Sequence, residues 1–140
     1  MLKKIPSNLS PELVKILMEM GHGDELVISD ANFPGERIGK RVVRADGQSA
    51  VESLQGILEL LPLDAYSDYQ YALMETVGND GNEPPIWSDF SNIIDQHYSN
   101  SQVKHLERFE FYEKSEDAFA ILITGETALY GNIILKKGVI

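Results

Sequence analysis

Three histidines in 140 residues narrow the search for a proton-exchanging group, because imidazole is the side chain whose unperturbed charge changes near neutral pH. His22 stands between Gly21 and Gly23, and glycines permit unusual backbone angles and close approach of a ligand. Taken alone it suits two jobs: a general acid/base, or a cap on the negative end of a helix. Asp30 follows the apolar run LVIS, and strand-end loops are where open α/β sheets place ligand-binding groups. It reads equally as a turn or N-cap aspartate. Arg108, between Glu107 and Glu110, has the setting of a surface ion-pair partner, and Tyr112 that of a packing residue. Tyr130-Gly131-Asn132 reads as a turn entering a strand. His97 fits the apolar face of a helix, as a core or interface residue, and His105 falls in a loop. Asp24 and Glu25 read as a solvated strand entry. His22, Asp24 and Asp30 are too scattered to assign a metal.

These groups need a frame. Ser10-Pro11-Glu12 has the chemistry of a helix start, and the spacing of Leu13, Ile16, Leu17 and Met20 predicts a helix over 10–20 stopped at Gly21. ELVIS (25–29) is a short buried strand, ANFPGERIG a loop, and KRVVRADG a strand ending in a turn. A second helix starts after Ser49 with Val51, Leu54, Leu58 and Leu61 on one face and ends by Pro62. YQYALMETV (69–77) reads as a strand, GNDGNEPP (78–85) as a surface turn, and 86–99 as a third helix. ERFEFYEKSEDA (107–118) reads as a short strand entering a helix. FAILITG (119–125) and NIILKKG (132–138) are strands separated by ETALY. Helices alternating with fully apolar strands predict a single α/β domain over 1–140, its sheet covered on both faces.

Composition removes several classes of function. Twelve Lys and Arg against 22 Asp and Glu give a formal charge of −10, which opposes nucleic-acid binding and favours uncharged or cationic small partners. No apolar run is long enough to span a membrane, and Pro6 with its polar neighbours interrupts any signal-peptide core. Without cysteine there is no disulfide and no thiolate nucleophile or ligand, which fits a cytoplasmic protein. The phosphate-loop, dinucleotide, zinc-protease and nucleophile-elbow patterns are all missing.

Four blocks in order, EMGHGDELVISDANFP, VVRADG, RFEFYE and ITGETALYGNIILKKGV, resemble the L-fucose mutarotase family, grouped with D-ribose pyranase in one small-sugar mutarotase superfamily. The resemblance runs nearly end to end, with 62–104 contributing little. It implies an isomerase of carbohydrate metabolism that interconverts the α and β pyranose anomers of L-fucose with no cofactor and no metal. It implies His22 as the catalytic acid/base, Asp30 as a sugar-binding carboxylate, and Arg108 as a substrate-binding arginine. Tyr130, Gly131 and Asn132 would hold the sugar hydroxyls, and Asp30 could also orient the imidazole. The implied fold is a three-layer α/β/α sandwich around a mixed β-sheet. The implied assembly is a homo-oligomer, a decamer of two stacked pentameric rings with sites completed between neighbouring subunits. Mutarotation needs one proton moved from the anomeric hydroxyl to the ring oxygen, which suits this residue set. A D-ribose pyranase or broader pyranose mutarotase is the alternative within the enzymes, and RFEFYE favours the fucose branch. A non-catalytic sugar-binding protein is the alternative outside them, against which His22 speaks.

Overall fold

The computed structural model describes residues 1–78 and 82–140. Ser10 caps helix α1 (Pro11–Glu19) by accepting from the Leu13 N–H, and Leu13, Ile16 and Leu17 form its buried face. The helix ends on an extended Met20 rather than on a left-handed glycine. Strand β1 (Glu25–Ser29) follows, with Leu26, Val27 and Ile28 fully buried. The stretch expected as loop contains one short helix, α2 (Gly35–Ile38), before strand β2 (Val42–Ala45). Ser49 opens helix α3 (Ala50–Leu58) through a complete capping box with Glu52.

Strand β3 (Tyr71–Met74) is shorter than its apolar run. Of the expected turn cluster, residues 79–81 lie outside the described residues, and Pro85 already belongs to helix α4 (Pro85–His97). Strand β4 (Val103–Leu106) precedes helix α5 (Arg108–Asp117). The strand expected within 107–118 is therefore earlier, and His105 sits in it rather than in a loop. His97 ends α4 near the surface, its Nε2 3.8 Å from Glu59, instead of joining the core. Strands β5 (Ala120–Thr124) and β6 (Ile133–Lys136) complete the sheet.

The strand order is β2-β5-β1-β6-β3-β4. Among the described residues only β6 runs antiparallel to its neighbours, β1 and β3; the remaining pairs are parallel. Alternation along β1 sends Leu26 and Ile28 to one face, with α1, α3 and α4, and Val27 to the other, with α5 and the flank of α2. The sandwich is thus the three-layer α/β/α arrangement expected, around a mixed sheet. Among the described residues no helix is long and apolar enough to cross a membrane.

Because five strands point the same way, the sheet has a distinct amino edge and carboxyl edge. His22 precedes β1 and lies on the first. Asp30 follows β1 and lies on the second.

Candidate functional site

At the amino edge the chain leaves α1, turns at Gly23 with φ +84°, and donates the Gly23 N–H to the Lys137 carbonyl at 2.8 Å. Nothing stands within 4 Å of where a Gly23 Cβ would be, so this glycine serves its left-handed backbone and not a lack of space. The turn aims His22 at Asp64, with Nε2 3.0 Å from Oδ1. The cap reading of His22 gives way here: its ring pairs with a carboxylate and not with helix carbonyls. Asp24, read as solvated, accepts from the Gly21 N–H at 2.7 Å and holds the same turn.

Asp64 is buried, 4% exposed, and fixed on every side. Its Oδ1 also accepts from the Tyr66 N–H at 3.0 Å, and its carbonyl accepts from Gln70 Nε2 at 2.9 Å. Its own N–H donates to the Lys136 carbonyl at 3.0 Å. Burial pushes its carboxyl upward, but the His22 hydrogen bond, the Tyr66 N–H and the charges of His22 and Lys136 outweigh it. The net effect holds the carboxyl below its ordinary range. An ionised carboxylate only accepts, so the imidazole must carry its proton on Nε2. That leaves Nδ1 as the basic nitrogen. The ring side chain is 46% exposed, and Tyr66 stands against it edge-on at 5.8 Å. Sequence reading missed Asp64, although a lone acid inside the apolar run LLPLDAY was its signal.

At the carboxyl edge Asp30 and Asn132 exchange two hydrogen bonds. The Asp30 N–H donates to Asn132 Oδ1 at 2.8 Å, and Asn132 Nδ2 donates to Asp30 Oδ2 at 2.9 Å. The Asn32 N–H donates to Asp30 Oδ1 at 2.9 Å. Each carboxylate oxygen keeps a lone pair, and Asn132 keeps one N–H, for a further hydrogen-bond partner. Tyr130 adopts φ +59°, an uncommon conformation for a side chain of this size. It is held at both ends: its hydroxyl oxygen accepts from the Val77 N–H at 2.8 Å, and its carbonyl accepts from Trp87 Nε1 at 3.3 Å. Tyr130 also lines an open cavity of about 740 Å³ with Val77, Pro84, Ile86, Ala128 and Leu129.

Arg108 opens α5 at this same edge, exposed, with its guanidinium 4.7 Å from the Phe109 ring centre. Phe33, three residues beyond Asp30, packs edge-on against Phe111 at 5.9 Å and Tyr112 at 5.5 Å. That contact ties the Asp30 loop to the first turns of α5.

So Asp30, Arg108, Tyr130, Gly131 and Asn132 share the carboxyl edge, and His22 does not. The five residues of β1 separate His22 from Asp30 by roughly 17 Å. Within one chain Asp30 cannot orient the imidazole; Asp64 does so. The same gap keeps His22, Asp24 and Asp30 from converging on one ion.

The sequence matches the model of the RbsD / FucU transport protein family over residues 3–140. A curated fucose mutarotase from Danio rerio is 51% identical, covering 99% of this chain and 94% of the relative. An L-fucose mutarotase from Histophilus somni is 46% identical, covering 99% of this chain and 97% of the relative. Among solved structures, a fucose mutarotase from Streptococcus pneumoniae in complex with L-fucose superposes with a TM-score of 0.95. It is 48% identical, and the match covers 99% of both chains. With sequence and fold matching from end to end, the chain belongs to the RbsD / FucU transport protein family.

Proposed function

We propose that this protein is an isomerase that interconverts α- and β-L-fucopyranose by general acid/base catalysis. The observation that carries the reading is the His22–Asp64 pair, with an ionised carboxylate on Nε2 and a basic Nδ1 on a half-exposed ring. The relatives named fucose mutarotase at 46–51% identity support the substrate.

His22 Nδ1 takes the proton of the anomeric hydroxyl, and Asp64 stabilises the imidazolium, as the carboxylate of a triad does. The C1–O5 bond breaks as C1 becomes a carbonyl carbon, and the imidazolium returns the proton to O5. O1 and O5 are bonded to the same carbon, so one nitrogen reaches both. After rotation about C1–C2, O5 adds to the opposite carbonyl face and the proton makes the reverse journey. No atom is gained or lost. A positioned acid/base supplies about 10²–10⁴-fold, enough for a reaction that already proceeds in water.

Asp30 and Asn132 hold sugar hydroxyls in this reading, with Arg108, Tyr130 and Gly131 beside them. Since these lie at the opposite edge from His22, the site is shared: one copy gives its amino edge and its neighbour gives its carboxyl edge. Such head-to-tail contacts close into rings, in keeping with pentamers stacked as a decamer. We assign the reaction to the cytoplasm, where a cysteine-free chain is indifferent to a reducing environment.

Magnetisation exchange between the fucose anomer signals is the test. Faster exchange with protein than in buffer is expected, and slower exchange with D-ribose than with L-fucose. An unchanged rate at a sugar concentration where binding is detected would leave only a sugar-binding protein.

A further inference from the structure

We propose that Glu126 is a positioning residue that locks the sugar-holding edge into one arrangement; this rests on the fucose reading above. Glu126 follows β5 and touches none of the proton-transfer groups. Its side chain spends both oxygens on backbone N–H groups. Oε1 accepts from Thr127 and Ala128, each at 3.0 Å, and Oε2 accepts from Ala50, the first residue of α3, at 3.2 Å. The last contact adds a carboxylate at the positive end of a helix already served by its own capping box.

The Glu126 backbone is equally committed. Its carbonyl accepts from the Ala31 N–H at 2.9 Å, next to Asp30. Its N–H donates to Thr124 Oγ1 at 3.2 Å, whose hydroxyl donates to the Ser29 carbonyl at 2.7 Å. Two of the three segments that carry the candidate sugar ligands, Arg108 on α5 being the third, therefore hang on this residue: 29–31 through its backbone, and the turn leading to Tyr130 through the carboxylate on Thr127 and Ala128. Gly131 is pressed onto it, since a Cβ at Gly131 would lie 2.8 Å from Glu126 Cγ. Tyr130 can keep its left-handed backbone only if the turn around it is over-determined. Two N–H groups held by one carboxylate just before it provide that constraint.

The consequence is a division of labour. Glu126 sets where Asp30, Tyr130 and Asn132 stand, while His22 and Asp64 are assembled at the other edge without it. Removing the carboxylate should loosen sugar binding and leave proton transfer alone. The test is Glu126→Ala, followed by anomer exchange over a range of L-fucose concentrations and pH. We expect KM to rise about tenfold or more with kcat and its pH profile near those of the wild type. Ile94→Ala, a deletion at a fully buried core position of α4, serves as the control for lost stability; its KM is expected to stay unchanged despite a lower Tm. A folded Glu126→Ala with wild-type KM overturns the proposal, and so does an equal KM rise in Ile94→Ala.

Should Glu126→Ala fail to fold, Glu126→Gln carries the test. Its carbonyl keeps the Thr127 and Ala128 contacts, while its amide sets N–H against the Ala50 N–H. A lower Tm with KM within about threefold is expected, and a tenfold KM rise overturns the assignment of positioning to Oε1. A wild-type protein without any exchange activity would instead remove the fucose reading itself.

Discussion

The tautomer of His22 follows from the charge of Asp64, and so does the role of base proposed for it. Asn at position 64 can still accept from Nε2, but it cannot stabilise an imidazolium. Asp64→Asn is therefore expected to lower kcat about 10²-fold or more with little change in KM, read from anomer exchange; a kcat near that of the wild type would place proton transfer elsewhere. His22→Ala should remove most of the rate while far-ultraviolet circular dichroism stays native. Acidity gives a separate check. The native Asp64 carboxyl is held below its ordinary value, so the unfolded chain binds its proton first as pH falls. The resulting stability is fully present above the usual range near ~4 and is lost as pH drops through the native value. The wild type should therefore unfold at a higher temperature than Asp64→Asn at pH 7, with the gap closing toward pH 2. A gap independent of pH would assign the difference to packing. Of this pair only His22 was legible in the sequence, since its glycine setting is local. Its partner lies 42 residues away, at a distance no spacing pattern encodes.

Elements were legible where a side chain announces their ends. Ser10 and Ser49 each hydrogen-bond the backbone three residues on, and the helices start beside them. β4 escaped because Val103, Lys104 and His105 are exposed at the sheet margin, which erases the alternation a half-buried strand shows. α2 escaped because one turn, opened by Pro34 without a side-chain cap and closed by Gly39, carries no period. The site's two edges were both readable as motifs, yet their separation was not, because only strand direction reveals it. Local chemistry separates two kinds of element ending. Ser10→Ala removes a cap whose hydroxyl bonds only the Leu13 N–H and none of the residues of the proposed site, so it should cost about 1 kcal/mol in denaturant unfolding and leave exchange rates unchanged. Gly23→Ala forces a Cβ into the left-handed turn that aims His22, at about 1–2 kcal/mol, and should lower kcat as well. If Gly23→Ala behaves like Ser10→Ala, with stability lost and kcat intact, the turn does not set the imidazole.

At the scale of the whole molecule the proposed site makes a demand that no single chain meets. If His22 is the base and Asp30 and Asn132 hold the sugar, as proposed, the two edges become a site only when copies meet head to tail, amino edge against carboxyl edge. The expected signature is complementation between two dead variants. His22→Ala keeps the carboxyl edge and Asp30→Ala keeps the amino edge, so each homogeneous assembly is inactive. In a co-refolded equal mixture, a site is native when an Asp30→Ala copy supplies His22 to a neighbour carrying His22→Ala. With random placement around a ring about a quarter of the sites meet that condition, so the mixture should recover about a quarter of the wild-type rate. Each variant refolded alone measures the background. The double variant His22→Ala/Asp30→Ala, mixed with wild type, gives the same one-quarter arithmetic, since both edges must then come from intact copies. No recovery in the first mixture, with mass measurements showing that mixed assemblies formed, would place both functions on one chain. That outcome would require the β1 separation to be bridged by a conformational change, and the shared-site reading would fall.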